Sequence, residues 1–183
     1  MKGPLVLDTH AWVWYLASPE VLPKGLVRVL DEARAREALY ISAITPWEVA
    51  VLAQKGRIAF SLEPRRWLEE ALRVRGIGVV PLDAGIALEA AHLDLPHPDP
   101  ADRFILATAL RLGAVLVTKD ERLRRYAKAR SLWGGGTVGG APPRGGGGRG
   151  GRPPERPVGG ARGRRHPPPG QVPPGPGRAG QGD

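Results

Sequence analysis

Short, continuous apolar runs alternate with longer stretches of helical periodicity along the chain. Leu5-Val6-Leu7 is apolar throughout and stops at Asp8, the pattern of a strand buried on both faces. Residues 11–17 follow without a turn signal, nearly all apolar, and predict a short helix. Pro19 and Pro23 break the chain, and residues 24–37 then place Leu26, Val27, Leu30 and Ala33 on one helical face. Leu39-Tyr40-Ile41 predicts a second strand. Thr45-Pro46-Trp47-Glu48 has the grammar of a helix start: Thr45 as cap, proline in the first turn, Glu48 three residues on. That helix is expected to run to about Lys55 and stop at Gly56. A helix over 64–75 ends at Gly76, a third strand covers 77–82, and a further helix covers 83–93. Asp99-Pro100-Ala101-Asp102 repeats the start grammar for a helix to Leu112, which Gly113 stops. Residues 114–117 predict a fourth strand ending at Thr118-Lys119-Asp120. A last helix over 121–128 precedes a short segment ending at Trp133. Apolar strands alternating with helices predict an α/β domain whose parallel sheet is covered on both faces.

Composition divides the chain at about Trp133. Residues 134–183 are dominated by Gly, Pro and Arg and contain no Leu, Ile, Phe, Tyr, Trp or Met. Such a segment has nothing with which to build a core, so a globular domain over 1–133 and a disordered tail over 134–183 are expected. The tail holds eight Arg against Glu155 and Asp183, so most of the net charge of +9 belongs to it and not to the fold. Its stretch from Gly145 to Arg152 resembles arginine–glycine RNA-binding segments, but lacks an aromatic residue to stack on bases. A GC-rich reading frame that had lost its stop codon would also encode this composition. Solvated disorder without a specific role is the expectation. With no Cys there is no disulfide, thiolate metal site or cysteine nucleophile. No apolar run is long enough to span a bilayer, and the first one is too short for a signal peptide. A cytoplasmic protein with no membrane contact is expected.

The chemistry lies in the acids. Ligands of parallel α/β sheets sit beyond the carboxyl ends of the strands, beside helix N-termini. Asp8 and Asp120 follow the first and fourth strands, and Glu48 and Asp102 fall in first helical turns. All four are therefore expected at one sheet edge. Singly, each has a structural explanation: capping boxes for Glu48 with Thr45 and Asp102 with Asp99, turns or caps for Asp8 and Asp120. Together they would repel, and a hard cation between them resolves the conflict. Oxygen donors suit Mg²⁺ or Mn²⁺ better than zinc. Asp99, a fifth acid near the site, is read as a helix cap, with a ligand role as the alternative. His10, His92 and His97 fit no ligand spacing and are read as surface or loop residues.

The segments Leu7-Asp8-Thr9-His10, Ser42-Ala43-Ile44-Thr45-Pro46-Trp47-Glu48, Asp99-Pro100-Ala101-Asp102-Arg103 and Leu116-Val117-Thr118-Lys119-Asp120-Glu121, in that order and spacing, resemble the PIN-domain ribonucleases of the VapC toxin type. The resemblance spans residues 4–133. It implies a three-layer α/β/α PIN-like domain with a central parallel sheet of four or five strands. It implies that Asp8, Glu48, Asp102 and Asp120 form an acidic catalytic metal site for Mg²⁺, with Mn²⁺ as a substitute. Thr9 and Thr118 are then supporting hydroxyls, and Arg103 and Lys119 are candidate cations for the RNA backbone. The implied reaction is endonucleolytic hydrolysis of RNA to a 5′-phosphate and a 3′-hydroxyl, with Asp102 or Asp120 orienting or deprotonating the water. The implied partners are an antitoxin protein, bound in an apolar groove, and a second copy in a homodimer. The apolar helix with Trp12, Trp14, Tyr15 and Leu16 is a candidate contact. Two rival readings are a PIN-like module that binds RNA or a partner without cutting, and a metal-dependent phosphatase. Asp8-Thr9-His10 mimics the opening of metallophosphoesterases, but their later Asn-His pair is impossible in a chain without Asn.

Overall fold

The computed structural model describes residues 3–96, 99–126, 130–134 and 171–172. The elements in chain order are β1 (Leu5–Leu7), α1 (Thr9–Ala17), a 3-10 turn (Pro19–Val21), α2 (Leu26–Ala35), β2 (Leu39–Ser42), α3 (Ile44–Gln54), β3 (Ala59–Phe60) and α4 (Pro64–Leu72). They continue with β4 (Ile77–Val80), α5 (Ala84–Ala91), α6 (Pro100–Leu112), β5 (Val115–Val117), α7 (Glu121–Arg124), β6 (Arg130–Leu132) and β7 (Gln171–Val172).

Five strands form one sheet in the order β4-β2-β1-β5-β6, every pairing parallel. Side chains alternate across it and divide the interior in two. Leu5 and Leu7 of β1 join a cluster with Trp12, Leu26, Leu30, Val49 and Trp67, so α1 to α4 cover that face. Val6 points the other way, into a cluster with Ile86, Ile105, Leu106, Leu116 and Leu123 from α5, α6, β5 and α7. Burial on both faces explains why the central strands β1 and β5 are uniformly apolar. The result is the expected three-layer α/β/α domain, with five strands.

From β1 the chain builds the sheet toward β2 and β4, and it later returns to add β5 and β6 on the other side. The strand order reverses between β1 and β5, whose carboxyl ends open a crevice there. Asp8 and the Thr118-Lys119-Asp120 segment leave the sheet at that point.

Several boundaries differ from expectation for local reasons. Helix α1 begins at Thr9, because Asp8 Oδ1 accepts from Ala11 N at 2.8 Å and caps it. Its apolar surround is mostly core: Trp12, Val13 and Tyr15 are buried, and Trp14 and Leu16 partly so. Helix α3 starts at Ile44, whose N donates to Ser42 Oγ at 3.2 Å. Thr45 therefore lies inside the first turn, buried and without a hydrogen bond, and the expected Thr45–Glu48 capping box does not form. Segment 130–132, expected only as a terminal stretch, is the fifth strand, held by register with Val115–Val117.

Helix α7 ends at Arg124; residues 127 and 128 of the expected helix lie outside the described residues. So do His97 and, apart from Gly134 and residues 171–172, the whole expected tail. Gln171–Val172 pairs in parallel with Ala59–Phe60. Among the described residues, no helix is long and apolar enough to cross a membrane.

Candidate active site

A cavity of about 910 Å³ opens at the carboxyl end of the sheet, and Asp8, Glu48, Asp99, Asp102 and Asp120 all line it. Each acid is placed by an element start. Asp8 caps α1, Asp99 caps α6 through Ala101 N at 3.0 Å, and Asp120 caps α7 through Arg122 N at 2.8 Å. Asp102 projects from the first turn of α6, whereas Glu48, expected in a first turn, stands one turn further along α3 because that helix starts at Ile44.

The closest group is not the four residues expected. Among the described residues, Glu48, Asp99 and Asp102 bring carboxylate oxygens within 4.8 Å of one another. Asp99 thus serves as helix cap and belongs to the cluster as well. Asp8 and Asp120 lie outside this tightest group but act on it electrostatically. Asp102 is pushed up to about 7 by burial, then by the charges of Asp99, Glu48, Asp120 and Asp8. Burial also raises Glu48 and Asp8 above the usual carboxylate range. Crowded, half-buried carboxylates that resist ionisation are a donor set completed by a cation. All-oxygen ligands fit a hard divalent ion such as Mg²⁺ or Mn²⁺.

Thr118 ties two of the acids together. Its Oγ1 donates to Asp8 Oδ2 in a short bond and accepts from Asp120 N at 3.0 Å. The bond to Asp8 favours that carboxylate's ionised form, and the bond from the Asp120 backbone fixes the start of α7. Thr9 is buried beside Glu48 and favours its ionised form, although its Oγ1 makes no hydrogen bond of normal geometry.

The expected cations separate. Lys119 lines the cavity with its ammonium 5.8 Å from the centre of the Trp14 ring. Arg103 turns elsewhere, donating from Nη1 and Nη2 to Leu93 O at 3.0 and 3.3 Å, and is not among the cavity's lining residues. Lys55, Arg57 and Arg122 line it instead. Sequence reasoning passed over them because Lys55 and Arg57 follow the end of α3 and Arg122 lies in the short α7, places where basic residues are ordinary. It also passed over Trp47, which stands beside Glu48 on the cavity wall. His10 lines the cavity too, its ring 5.5 Å from that of Trp14. His92 is spent on its own helix, Nδ1 lying 2.8 Å from Leu88 O.

Comparison with known proteins agrees with this architecture. The PIN domain family model matches residues 5–129. Ribonuclease VapC22 of Mycobacterium tuberculosis (strain ATCC 25618 / H37Rv) is 36% identical over 133 residues, covering 70% of this chain and 98% of that protein. Two solved structures share the fold. The VapBC2 complex of Rickettsia felis bound to promoter DNA has a TM-score of 0.54 at 17% identity, covering 70% of this chain and 98% of that one. The DNA-bound VapBC complex of Salmonella typhimurium has a TM-score of 0.54 at 20% identity, covering 71% and 97%. The chain belongs to the PIN-domain family, and within it to the VapC type.

Proposed function

We propose that this protein is a Mg²⁺-dependent endoribonuclease, the toxin component of a toxin–antitoxin pair. The observation that carries the reading is the convergence of five carboxylates on one cavity at the β1/β5 crevice, in a chain 36% identical to a ribonuclease. Glu48, Asp99 and Asp102 would hold the ion, with Asp8 and Asp120 beside it. A bound divalent ion supplies positive charge that polarises the phosphoryl group and neutralises the acids. The protein's own groups do the rest. Asp102 or Asp120 orients a water and takes its proton as the water adds to phosphorus. The bond from phosphorus to the 3′ oxygen breaks, that oxygen takes a proton from solvent, and a 5′-phosphate and a 3′-hydroxyl remain. Thr118 holds Asp8 and Asp120 in place, and Lys119, Lys55, Arg57 and Arg122 offset the acids' repulsion of the RNA backbone. Arg103, expected as a cation for the RNA backbone, instead holds the Leu93 segment in this reading.

A second cavity of about 550 Å³ fits the antitoxin. Tyr15, Leu16, Val27, Trp67 and Val74 give it an apolar lining, with Asp31, Arg34, Glu70 and Arg75 among its charged groups. An apolar peptide segment would bury its side chains there, and the protein would act as a homodimer in the cytoplasm.

The test is incubation of purified protein with mixed RNA and with a phosphomonoester, in Mg²⁺ and in excess EDTA. Endonucleolytic products in Mg²⁺ only, lost in Asp8→Asn, are expected. Phosphate release from the monoester would favour the phosphatase reading, and RNA binding without any cleavage the non-cutting module.

A further inference from the structure

Five tryptophans are spread through the domain, and one of them is out of place. Trp12 and Trp67 are buried and meet edge to face, and Trp14 and Trp133 pack partly buried against the first core. Trp47 is 57% exposed and belongs to neither hydrophobic cluster. An indole left in water costs the fold its hydrophobic contribution, and its flat face remains available. Its position is specific. It precedes Glu48 in the chain, and both side chains line the acidic cavity. Trp47, Val51 and Lys55 recur at every fourth residue of α3 and its end, so they form one stripe along the cavity wall. That stripe is about 12 Å long at helical rise, and it leads from the carboxylates to the cations Lys55 and Arg57.

We infer that Trp47 is the platform on which an unpaired nucleobase of the RNA substrate stacks, next to the bond that is cut, while Lys55 and Arg57 take the backbone running away from it. The inference rests on the ribonuclease reading of the cavity. An aromatic face beside cations is the combination that binds single-stranded nucleic acid, and it tolerates any base because every base has a π face. Charge complementarity selects this occupant over a protein segment. The wall around Trp47 carries lysine, arginine and carboxylates, whereas the apolar-lined groove lies elsewhere, at Tyr15 and Trp67. Stacking demands a base out of a helix, so single-stranded RNA is the substrate class, and duplex RNA is cut poorly.

The experiment combines Trp47→Ala and Trp47→Phe with a short single-stranded RNA in which each base in turn is replaced by an abasic site. Trp47→Ala should raise KM about tenfold or more with little change in kcat, and Trp47→Phe should recover most of the loss. At one position near the cut, the abasic substitution should raise the wild-type KM similarly and add nothing in Trp47→Ala. Melting temperature serves as the folding control and should not move, since Trp47 packs against neither core. Additive losses at every position, or an unchanged KM, overturn the platform. A Trp47→Ala protein that changes oligomeric state on gel filtration assigns the residue to a protein interface and overturns it too. If the wild type cuts no RNA in Mg²⁺, the ribonuclease reading fails separately. Anisotropy of a labelled single-stranded 2′-O-methyl oligoribonucleotide then decides the platform: tighter binding to wild type than to Trp47→Ala upholds it, and equal binding overturns it.

Discussion

Asp102 carries the electrostatic tension of the cavity on a single side chain. Its carboxyl is pushed up to about 7, first by burial and then by four neighbouring acids. The sign for stability follows. Between its unfolded range near pH 4 and about pH 7, the folded protein binds the extra proton, so this group's stabilisation is present at low pH and lost as pH rises through 7. Without metal, the melting temperature should therefore fall on going from pH 5.5 to pH 8. Asp102→Asn should flatten that slope and leave the metal-free protein at pH 8 as stable as the wild type or more so. Millimolar Mg²⁺ should raise the wild-type melting temperature by several degrees, and that of the variant much less. Thermal melts of both proteins in EDTA and in Mg²⁺ across this range check it. Equal destabilisation of the variant in both buffers would mean that Asp102 serves only the helix dipole, worth about 0.3–1 kcal/mol. Thr118 works the opposite way, by satisfying charge. Thr118→Val leaves Asp8 Oδ2 and Asp120 N without their shared partner, which should cost about 1–3 kcal/mol by denaturant melting. Cleavage should drop roughly 10–100-fold, and Thr118→Ser should restore most of it.

At the scale of elements, the site exists because four chain segments start or stop at one edge of one sheet. That much was legible: apolar triplets ending in Asp8 or Thr118, and a proline in the first turn of two helices, place the acids before any coordinates are known. The cap at Thr45 was misread because its residue type fits a cap as well as it fits a first turn; Ser42 and an earlier start at Ile44 decide it. Asp99 was read as a cap and is one, but its second position, within 4.8 Å of Glu48 and Asp102, needs the approach of α3 to α6, which no local pattern encodes. Arg103 was misjudged for the same reason, since Leu93 O is distant from helix α6 in every local sense. Strand β6 was missed because Arg130-Ser131-Leu132 carries one large apolar residue, and only pairing with β5 makes it a strand. The α4–β4 turn shows an element boundary that sequence did mark. Gly76 has φ 84°, and a Cβ there would sit 2.8 Å from Arg34 O and 2.7 Å from Arg34 Cγ. Gly76→Ala should destabilise the domain by about 1–3 kcal/mol, through the left-handed backbone and the clash with α2. A chemical denaturation midpoint lower than that of the wild type, with RNA cleavage at low temperature retained, is the expected result.

At the scale of the whole molecule, the net charge of +9 divides into +3 on residues 1–133 and +6 on the fifty that follow. Among the described residues, the buried members of both core clusters lie within residues 5–132. The described link to the segment beyond Gly134 is the two-residue pairing of Gln171–Val172 with Ala59–Phe60. Two residues of ladder are marginal on their own and contribute little beside a five-stranded sheet whose central strands are fully buried. A chain ending at Trp133 should therefore melt within about one or two degrees of the full-length protein and cut short RNA in Mg²⁺ at the same rate. The arginines beyond that point act differently. Eight guanidinium groups with two acids attract any polyanion without reading sequence, and each phosphate they neutralise releases counterions. Full-length protein should bind long RNA more tightly than the shortened one at low salt, with a steeper fall as salt rises, and the two should converge at high salt. Melting curves, cleavage rates and salt titrations of the two proteins separate these effects. A shortened protein that melts several degrees lower would assign the segment at Gln171–Val172 to the fold. Loss of short-RNA cleavage at unchanged stability would assign the arginine-rich stretch to the catalytic cavity.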